Sequence, residues 1–552
     1  MQIDDDDNAV LFPDQQRALD IIHNQIEIQK RCPSAPPLRM LVVGEGGTGK
    51  SELIKRATKL LQSSLSISAF TGIAASKVGG STTHREWGIR VRRNRDNSDG
   101  MGAESKRRLV DKFKFKNWAF FDEISMISAK FFFTIARHAD IAKAGTYNSQ
   151  EGTSFGNMNV VLFGDFYQFP PVTGRALYNT TGNMTEDEHA GRAIFEQFNR
   201  VVILRDQVRI QDAPWLDTLR AARHGACNAH IHLPMIRSLI LENNALDRPN
   251  FATPPWNHAV LITSRHALRT SWNERSLRSH CQQTQVPLII STAEDVMKRR
   301  GMESRSLTHH EQAVAYSKDP KTRKLPDTVE LAVGMPCMVT MNVKTEQDLA
   351  NGTRGTLVDI ILDSREQEIN QEASIHTLQY PPRYILFKPD ETRAGNLTGL
   401  PEGVFPIEPI TCKYTIDVQG KTTSVERRQI PVTGGYAFTD YRSQGQTLPA
   451  VIVDLAKPPS GTLTPFGAYV ALSRSRGRDT IRLLRDFEDR IFTTHPSESL
   501  RNENLRLEEQ DQLTREWWRH KVGVQYKIFN LQPLIAWPQK QQAEGEGVRW
   551  QL

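Results

Sequence analysis

The chain has 552 residues, with 70 Lys and Arg against 63 Asp and Glu, a formal net charge of +7 and a hydrophobic content of 38%. That length holds about three or four domains of roughly 100–200 residues each. No apolar run approaches the roughly 20 residues that a membrane-spanning helix requires, so the composition reads as that of a soluble protein without a membrane partner. The basic balance suits a polyanionic partner. Five cysteines (Cys32, Cys227, Cys281, Cys337, Cys412) lie scattered, with no pair at zinc-site spacing and an odd count that completes no disulfide framework. They read as reduced thiols of an intracellular protein.

The first residues, MQIDDDDNAV, read as a solvated acidic tail over 1–10, with neither the layout of a secretory signal nor the Arg-rich character of a mitochondrial presequence. With the basic charge of the rest, this points to a nuclear location. Short apolar runs then recur at 40–43, 118–121, 160–163, 201–204, 259–262 and 451–455, most of them ending in a polar loop. They lack alternation, which predicts strands buried on both faces and hence a parallel sheet covered by helices. The intervening stretch 51–62 predicts a helix with Leu53, Ile54, Ala57, Leu60 and Leu61 on one face. Such strand–helix alternation is α/β architecture, in which ligands bind beyond the carboxyl ends of the strands. Residues 150–158 and 179–190 read as surface loops, and the proline-bearing 240–258 as a join between two lobes. From about 330 to 432 the texture turns to short strands broken by Gly, Pro and Asn, which predicts a small β-rich insertion into the second lobe.

The segment GEGGTGKS at 44–51 fits G-x-x-x-x-G-K-[ST] between a buried strand and an amphipathic helix. A triphosphate needs inward-turned backbone N–H groups and the positive end of a helix. Gly44, Glu45, Gly46, Gly47, Thr48 and Gly49 would form that cradle, Lys50 would reach the β- and γ-phosphates, and the Ser51 hydroxyl would bind Mg²⁺. In WAFFDEISMIS at 118–128 an apolar strand ends in adjacent carboxylates. Asp122 is the candidate metal partner and Glu123 the candidate base for the attacking water. In VVLFGDFYQFPPV at 160–172, Gln168 could sense the γ-phosphate, since an amide both donates and accepts. The chain has no guanine-reading NKxD-type motif, which favours ATP over GTP.

These strings, in this order, resemble one family, the PIF-type DNA helicases of superfamily one, relatives of the RecD-type motors, over about residues 11–485. LFPDQQRALDII at 11–22 resembles the family's glutamine motif, which makes Gln15 the adenine reader. AFTGIAASKVGGSTTH at 69–84 is similar to its strand-contacting motif, with Thr71 and His84 as contacts, and YAFTDYRSQGQTL at 436–448 adds Thr439 and Tyr441. LRDQVRIQD at 204–212 and YVALSRSRGRD at 469–479 imply two arginine fingers, Arg209 and Arg474.

The resemblance implies two RecA-like parallel-sheet lobes, the first over 11–200 and the second over 201–340 with 430–495. A basic wedge insertion would fill 88–116, an SH3-like β-barrel would fill 341–429, led by LANGTRG, and 496–552 would be an extension of unassigned role. It further implies an ATP- and Mg²⁺-dependent helicase moving 5′ to 3′ on single-stranded and forked DNA, with no obligate protein partner, in work such as repair, recombination and telomere maintenance. An RNA or hybrid helicase, and a strand-binding protein with an idle motor, are the other readings. The chain departs from the family pattern at Tyr441 and Arg442, where a His and a Lys are usual, and at Glu45, where Pro is common. Arg90, Arg92, Arg93 and Arg95 are either phosphate contacts or part of a solvated basic loop. The adjacent Trp517 and Trp518 read as capping a core rather than stacking on bases.

Overall fold

The computed structural model describes residues 10–89, 101–144, 154–242, 248–297, 305–317, 325–344, 347–366, 373–418, 420–459 and 462–531. The acidic run at 4–7 and Arg90, Arg92, Arg93 and Arg95 lie outside them.

Helix α1 (Pro13–Arg31) leads into strand β1 (Arg39–Gly44), whose six residues are all buried, and then into helix α2 (Lys50–Leu61). Leu53, Ile54, Ala57 and Leu61 of α2 are buried as the spacing predicts. Leu60 is not: it is 44% exposed, at the edge of that stripe in the last turn. Strands β2 (Leu65–Ala69), β3 (Ser81–Thr82), β4 (Trp118–Asp122), β5 (Asn159–Gly164) and β6 (Arg200–Leu204) join β1 in a six-stranded sheet of order β3-β2-β4-β5-β1-β6. Every pairing in it is parallel, as the unalternated apolar runs require. Between β2 and β3 lies α3 (Gly72–Lys77), capped by the Thr71 side chain.

Two expectations are corrected here. The run at 201–204, placed in the second lobe by sequence, is the edge strand of the first, in register with β1 from Met40↔Arg200 to Gly44↔Leu204. Residues 154–158 are no surface loop, because Phe155 and Met158 are buried in the first lobe's core and the Arg39 guanidinium holds the Ser154 and Met158 carbonyls.

The second sheet is smaller and also parallel: Ala437–Phe438, then β7 (Val260–Thr263), then Val451–Asp454, then Ile481–Leu483. Its core already includes Trp215, Leu219, Leu233 and Ile236 from the two helices before β7. The lobes therefore part at about 205–212, not at the proline-bearing 240–258. Strand-rich chain begins at Leu288, well ahead of 341, and returns at Gly434. It builds a five-stranded antiparallel sheet running from Phe405–Ile407 through Tyr384–Pro389, Arg354–Ile361 and Pro336–Val339 to Val432–Gly434, beside sheets of three and four strands. Part of the stretch read as a basic insertion is a helix, Ala103–Phe113, that buries Leu109 and Phe113 in the first lobe's core, where Phe113 stacks on Trp87 at 4.4 Å.

After the second lobe the chain returns to the first as one long helix, Glu498–Leu531, laid along β6. β6 is a sheet edge, and its outward N–H groups need partners. Thr514 Oγ1 accepts from Val201 N at 3.0 Å, and Asp511 Oδ1 accepts from Ile203 N at 3.2 Å. Asp511, 1% exposed, also receives Arg17 at 2.6 Å, Arg205 at 2.7 Å and Arg515 at 3.0 Å, which together hold its carboxyl below the usual range against the opposing pull of burial. Trp517 and Trp518 pack against the same lobe, with Arg200 over the Trp517 ring at 4.3 Å, so the pair caps a core as expected.

The lobes also meet behind the phosphate loop. Arg223, from the second-lobe helix Ala213–Arg223, bonds both oxygens of buried Asp165 at 2.8 Å and covers the Tyr167 ring at 4.4 Å. Removing one partner of a buried pair leaves an uncompensated charge, at about 3–5 kcal/mol. Arg223→Ala and Asp511→Ala are each expected to lower the melting temperature measured by differential scanning fluorimetry by several degrees. A surface pair such as Arg108–Glu104, both members nearly 80% exposed at 78% and 79%, gives the control: its Ala variant leaves the melt unchanged.

Candidate nucleotide cleft and strand groove

Beyond the carboxyl ends of β1 and β4 a cleft of about 1420 Å³ opens between the lobes. It brings together Gly46, Gly47, Gly49, Lys50, Ser51, Asp122, Glu123 and Gln168 of the first lobe with Arg209 of the junction and Arg474 of the second lobe. All ten were singled out by sequence. Gly47 and Gly49 adopt φ of +97° and +79°, left-handed values that turn the loop around its own interior and that a side chain would strain. Lys50 Nζ folds into that interior, donating to the Gly44 carbonyl at 2.6 Å and the Glu45 carbonyl at 3.0 Å. Burial pushes the Lys50 ammonium down, while Asp165, Glu123 and Asp122 oppose the shift.

At the end of β4 the carboxyls of Asp122 and Glu123 are both buried, and burial pushes both above the usual range. The Asp122 shift is reinforced by the charge of Glu123, while Asp122 Oδ1 accepts the Glu123 N–H at 2.9 Å. Glu123 sits at φ +56°, a left-handed conformation rare for a side-chain-bearing residue, and such outliers cluster where geometry is used. Among the described residues no group of three or more His, Cys, Asp or Glu could hold a metal by itself. The donor set of Ser51, Asp122 and open cleft suits an ion that takes one or two protein oxygens and completes its shell with phosphate and water, as Mg²⁺ does.

Two guanidiniums face the loop from the other side. A Cβ built on Gly46 would lie 3.3 Å from Arg474 Nη2 and 3.4 Å from Arg209 Nη1. Arg474 is 1% exposed; its Nε donates to the Val470 carbonyl at 2.7 Å and its Nη2 to Ser473 Oγ at 2.7 Å. Burial, then the like charge of Arg209, pushes Arg474 down to about 9. Converging buried cations of this kind are relieved by an anion between them. Gln168 Nε2 lies 3.4 Å from Asp165, while its buried Oε1 accepts no hydrogen bond among the described residues.

The remaining loop residues play other parts. Gln15 does not line the cleft: its Oε1 accepts from Phe12 N at 2.9 Å and its Nε2 donates to the Thr48 carbonyl at 3.0 Å, bracing the loop from behind. Thr48 Oγ1 donates to the Glu45 carbonyl at 2.9 Å. The Glu45 side chain points away from the cleft and pairs with Arg220 at 3.2 Å, consistent with tolerance of a non-proline residue there.

A second groove, of about 470 Å³, lies where the first lobe, the β-rich region and residues 441–444 meet. Thr71, His84 and Tyr441 line it, and Thr439 does not. The Thr71 hydroxyl is occupied in capping α3, accepting from Ala74 N at 3.2 Å. His84 stacks on Phe131 at 4.5 Å, and burial pushes its imidazole down, toward the neutral form. Tyr441, which stands where the family has His, lies flat on Phe169 of the first lobe, centroids 4.0 Å apart and planes at 14°. One face of its ring is thus taken by protein. Asn342, Asn351 and Arg85 also line the groove. Sequence reasoning missed these, and it missed Arg223 and Gln444, whose Nε2 donates to Glu123 Oε2 at 2.8 Å. The only available signal for Gln444 was its place inside the string at 436–448.

Residues 11–212 match the family model for PIF1-like helicases. Over most of its length the chain is similar to "ATP-dependent DNA helicase PIF1" of Danio rerio, 25% identical over 84% of this chain and 61% of the relative. It is similar too to "ATP-dependent DNA helicase RRM3" of Saccharomyces cerevisiae, 26% identical over 88% of this chain and 66% of the relative. The chain thus spans a little under two thirds of these two relatives. "ATP-dependent DNA helicase Pif1" of Bdellovibrio bacteriovorus is 26% identical over 86% of this chain and 88% of its own length. Among solved structures, Pif1 helicase from Candida albicans superposes with a TM-score of 0.59 at 21% identity, covering 90% of this chain and 100% of that one. Pif1 from Bacteroides in complex with ADP-AlF3 and single-stranded DNA gives 0.61 at 19% identity, covering 91% and 98%. The first lobe up to the interlobe junction thus matches PIF1-like helicases, and the whole chain, with its phosphate loop, acid pair and paired arginines set between two parallel-sheet lobes, is similar to them in sequence and fold.

Proposed function

We propose that the protein is an ATP-dependent DNA helicase that moves 5′ to 3′ along single-stranded DNA and opens forked duplexes. The observation that carries this reading is the approach of Arg209 and Arg474 to Gly46 across the cleft between the lobes. A site completed from both sides of a cleft changes when the cleft opens, so splitting the substrate can do mechanical work. The relatives named as ATP-dependent DNA helicases and the Bacteroides structure with single-stranded DNA support the choice of substrates.

In this reading the loop N–H groups and Lys50 bind the ATP phosphates, and Lys50 exchanges its two carbonyl contacts for phosphate oxygens. Ser51 and Asp122 would hold Mg²⁺, which supplies charge neutralisation across the phosphate oxygens. Glu123, buried and with a raised affinity for protons, orients the water and takes its proton. Gln168 uses its unpartnered Oε1 on the same water or on a phosphate-bound proton. Gln15 acts through its hold on Thr48, with adenine reading requiring its amide to be released. Thr71, His84 and Tyr441 receive the strand, His84 as a neutral ring, with Thr439 holding the entry to the segment at 440–443. The β-rich module, SH3-like in the family's pattern, closes the groove through Asn342 and Asn351. Service in repair, recombination and telomere maintenance, in the nucleus, is the biological setting this activity fits.

Lys50→Ala is expected to lower kcat by about 10²–10³. Glu123→Gln is expected to lower turnover by about 10²–10⁴ while retaining bound ATP, measured by filter binding. Normal hydrolysis by the Glu123 variant would remove the base assignment. On forks with a single tail, a 5′ tail supports unwinding and a 3′ tail alone does not. Unwinding from a 3′ tail only would reverse the polarity, and hydrolysis indifferent to DNA but stimulated by RNA would move the substrate class.

A further inference from the structure

Gln444 stands on the wall between the two sites. Its side chain lines the strand groove with Tyr441 and Arg442, and its Nε2 donates to Glu123 Oε2, which faces the nucleotide cleft, at 2.8 Å. It is 5% exposed, and its Oε1, also buried, accepts no hydrogen bond among the described residues. The chain bends sharply just after it, at Gly445, where φ is +72° and a Cβ would lie 3.7 Å from Glu123 Oε1. The same turn is gripped from the nucleotide side. Arg474 Nη1 donates to the Gln446 carbonyl at 3.1 Å, and Lys77 Nζ of α3 donates to the Gly445 carbonyl at 2.7 Å. Its strand side rests on the first lobe through the Tyr441–Phe169 stack at 4.0 Å.

We propose that Gln444 is a positioning residue that couples the strand groove to hydrolysis: a strand seated against residues 441–444 shifts the turn, and the Gln444 amide re-aims the Glu123 carboxylate. This rests on the reading of Glu123 as the base and of the groove as the strand site. The coupling is built from one short side chain that reaches both sites, so it needs no longer path between them. A buried donor whose other end has no partner is also poised to exchange contacts, because a second arrangement can satisfy an atom the first leaves bare.

The test compares the full chain with Gln444→Met, which keeps length and volume but has no N–H, so that packing is preserved. The ratio of ATP turnover with saturating oligo-dT to turnover without it is measured, with KM for ATP and oligo-dT affinity by fluorescence anisotropy. In the unaltered chain the ratio is expected to be about 5–150, the usual size of coupling between sites. In Gln444→Met it falls to within about twofold of unity, while KM and oligo-dT affinity stay within about threefold. Combined with Glu123→Gln, the same change alters single-turnover hydrolysis by less than about twofold, because both act on one carboxylate. A Met variant that keeps the full ratio overturns the proposal and leaves the helicase reading standing, as does one that loses oligo-dT binding tenfold, since Gln444 would then be a simple strand contact. An unaltered chain that oligo-dT does not stimulate overturns both.

Discussion

Like charges held close together on each side of the cleft govern this structure. Arg209 and Arg474 approach the same phosphate-loop glycine from one side, and Asp122 and Glu123 lie buried together on the other. Lys50 offsets the acid pair only in part, and desolvation presses every one of these groups toward its uncharged form. The loop has answered part of the problem by folding Lys50 onto its own carbonyls. What remains is an electrostatic deficit shaped for a polyanion with a cation attached, and both lobes carry a share of it. The spacing of the lobes is therefore set by what lies between them as much as by the contacts they make.

Sequence conveyed the first lobe well because its signals are local. Unalternated apolar runs mark strands buried on both faces, and the phosphate loop carries its own geometry in its glycines, so β1, β4 and β5 and the residues after them were legible. Allegiance between elements was not. Nothing in the run at 201–204 says that β1 is its neighbour, because a run of Val and Ile fits the edge of either sheet. Phe155 gave no warning of its burial, since the polar residues around it read as loop while one aromatic ring carries the packing. Arg223 looks like any basic residue on an amphipathic helix until the fold delivers Asp165 to it. Gln15 was legible as a site residue, but its hold on the loop was not: an amide with two donors and an acceptor can brace a loop as readily as read a base.

The groove departs from the family pattern in a physically specific way. A His in place of Tyr441 would offer a titratable ring, whereas the tyrosine gives a larger uncharged face, one side of which is committed to Phe169. With His84 also held toward neutrality and stacked on Phe131, two uncharged rings line the groove, and Arg85 and Arg442 bring positive charge to the same lining. Stacking of that kind is indifferent to base identity.

The helix Glu498–Leu531 has a mechanical meaning. The chain passes from the first lobe to the second at about 205–212, and passes back between the short helix Arg490–Thr493, packed in the second lobe, and Leu500, packed in the first. Two bodies joined by one tether can swivel about it in any direction. Joined at two separate crossings, they keep a single easy rotation, about the line through both. The returning helix thus turns a ball joint into a door hinge and confines whatever moves at the cleft to one degree of freedom.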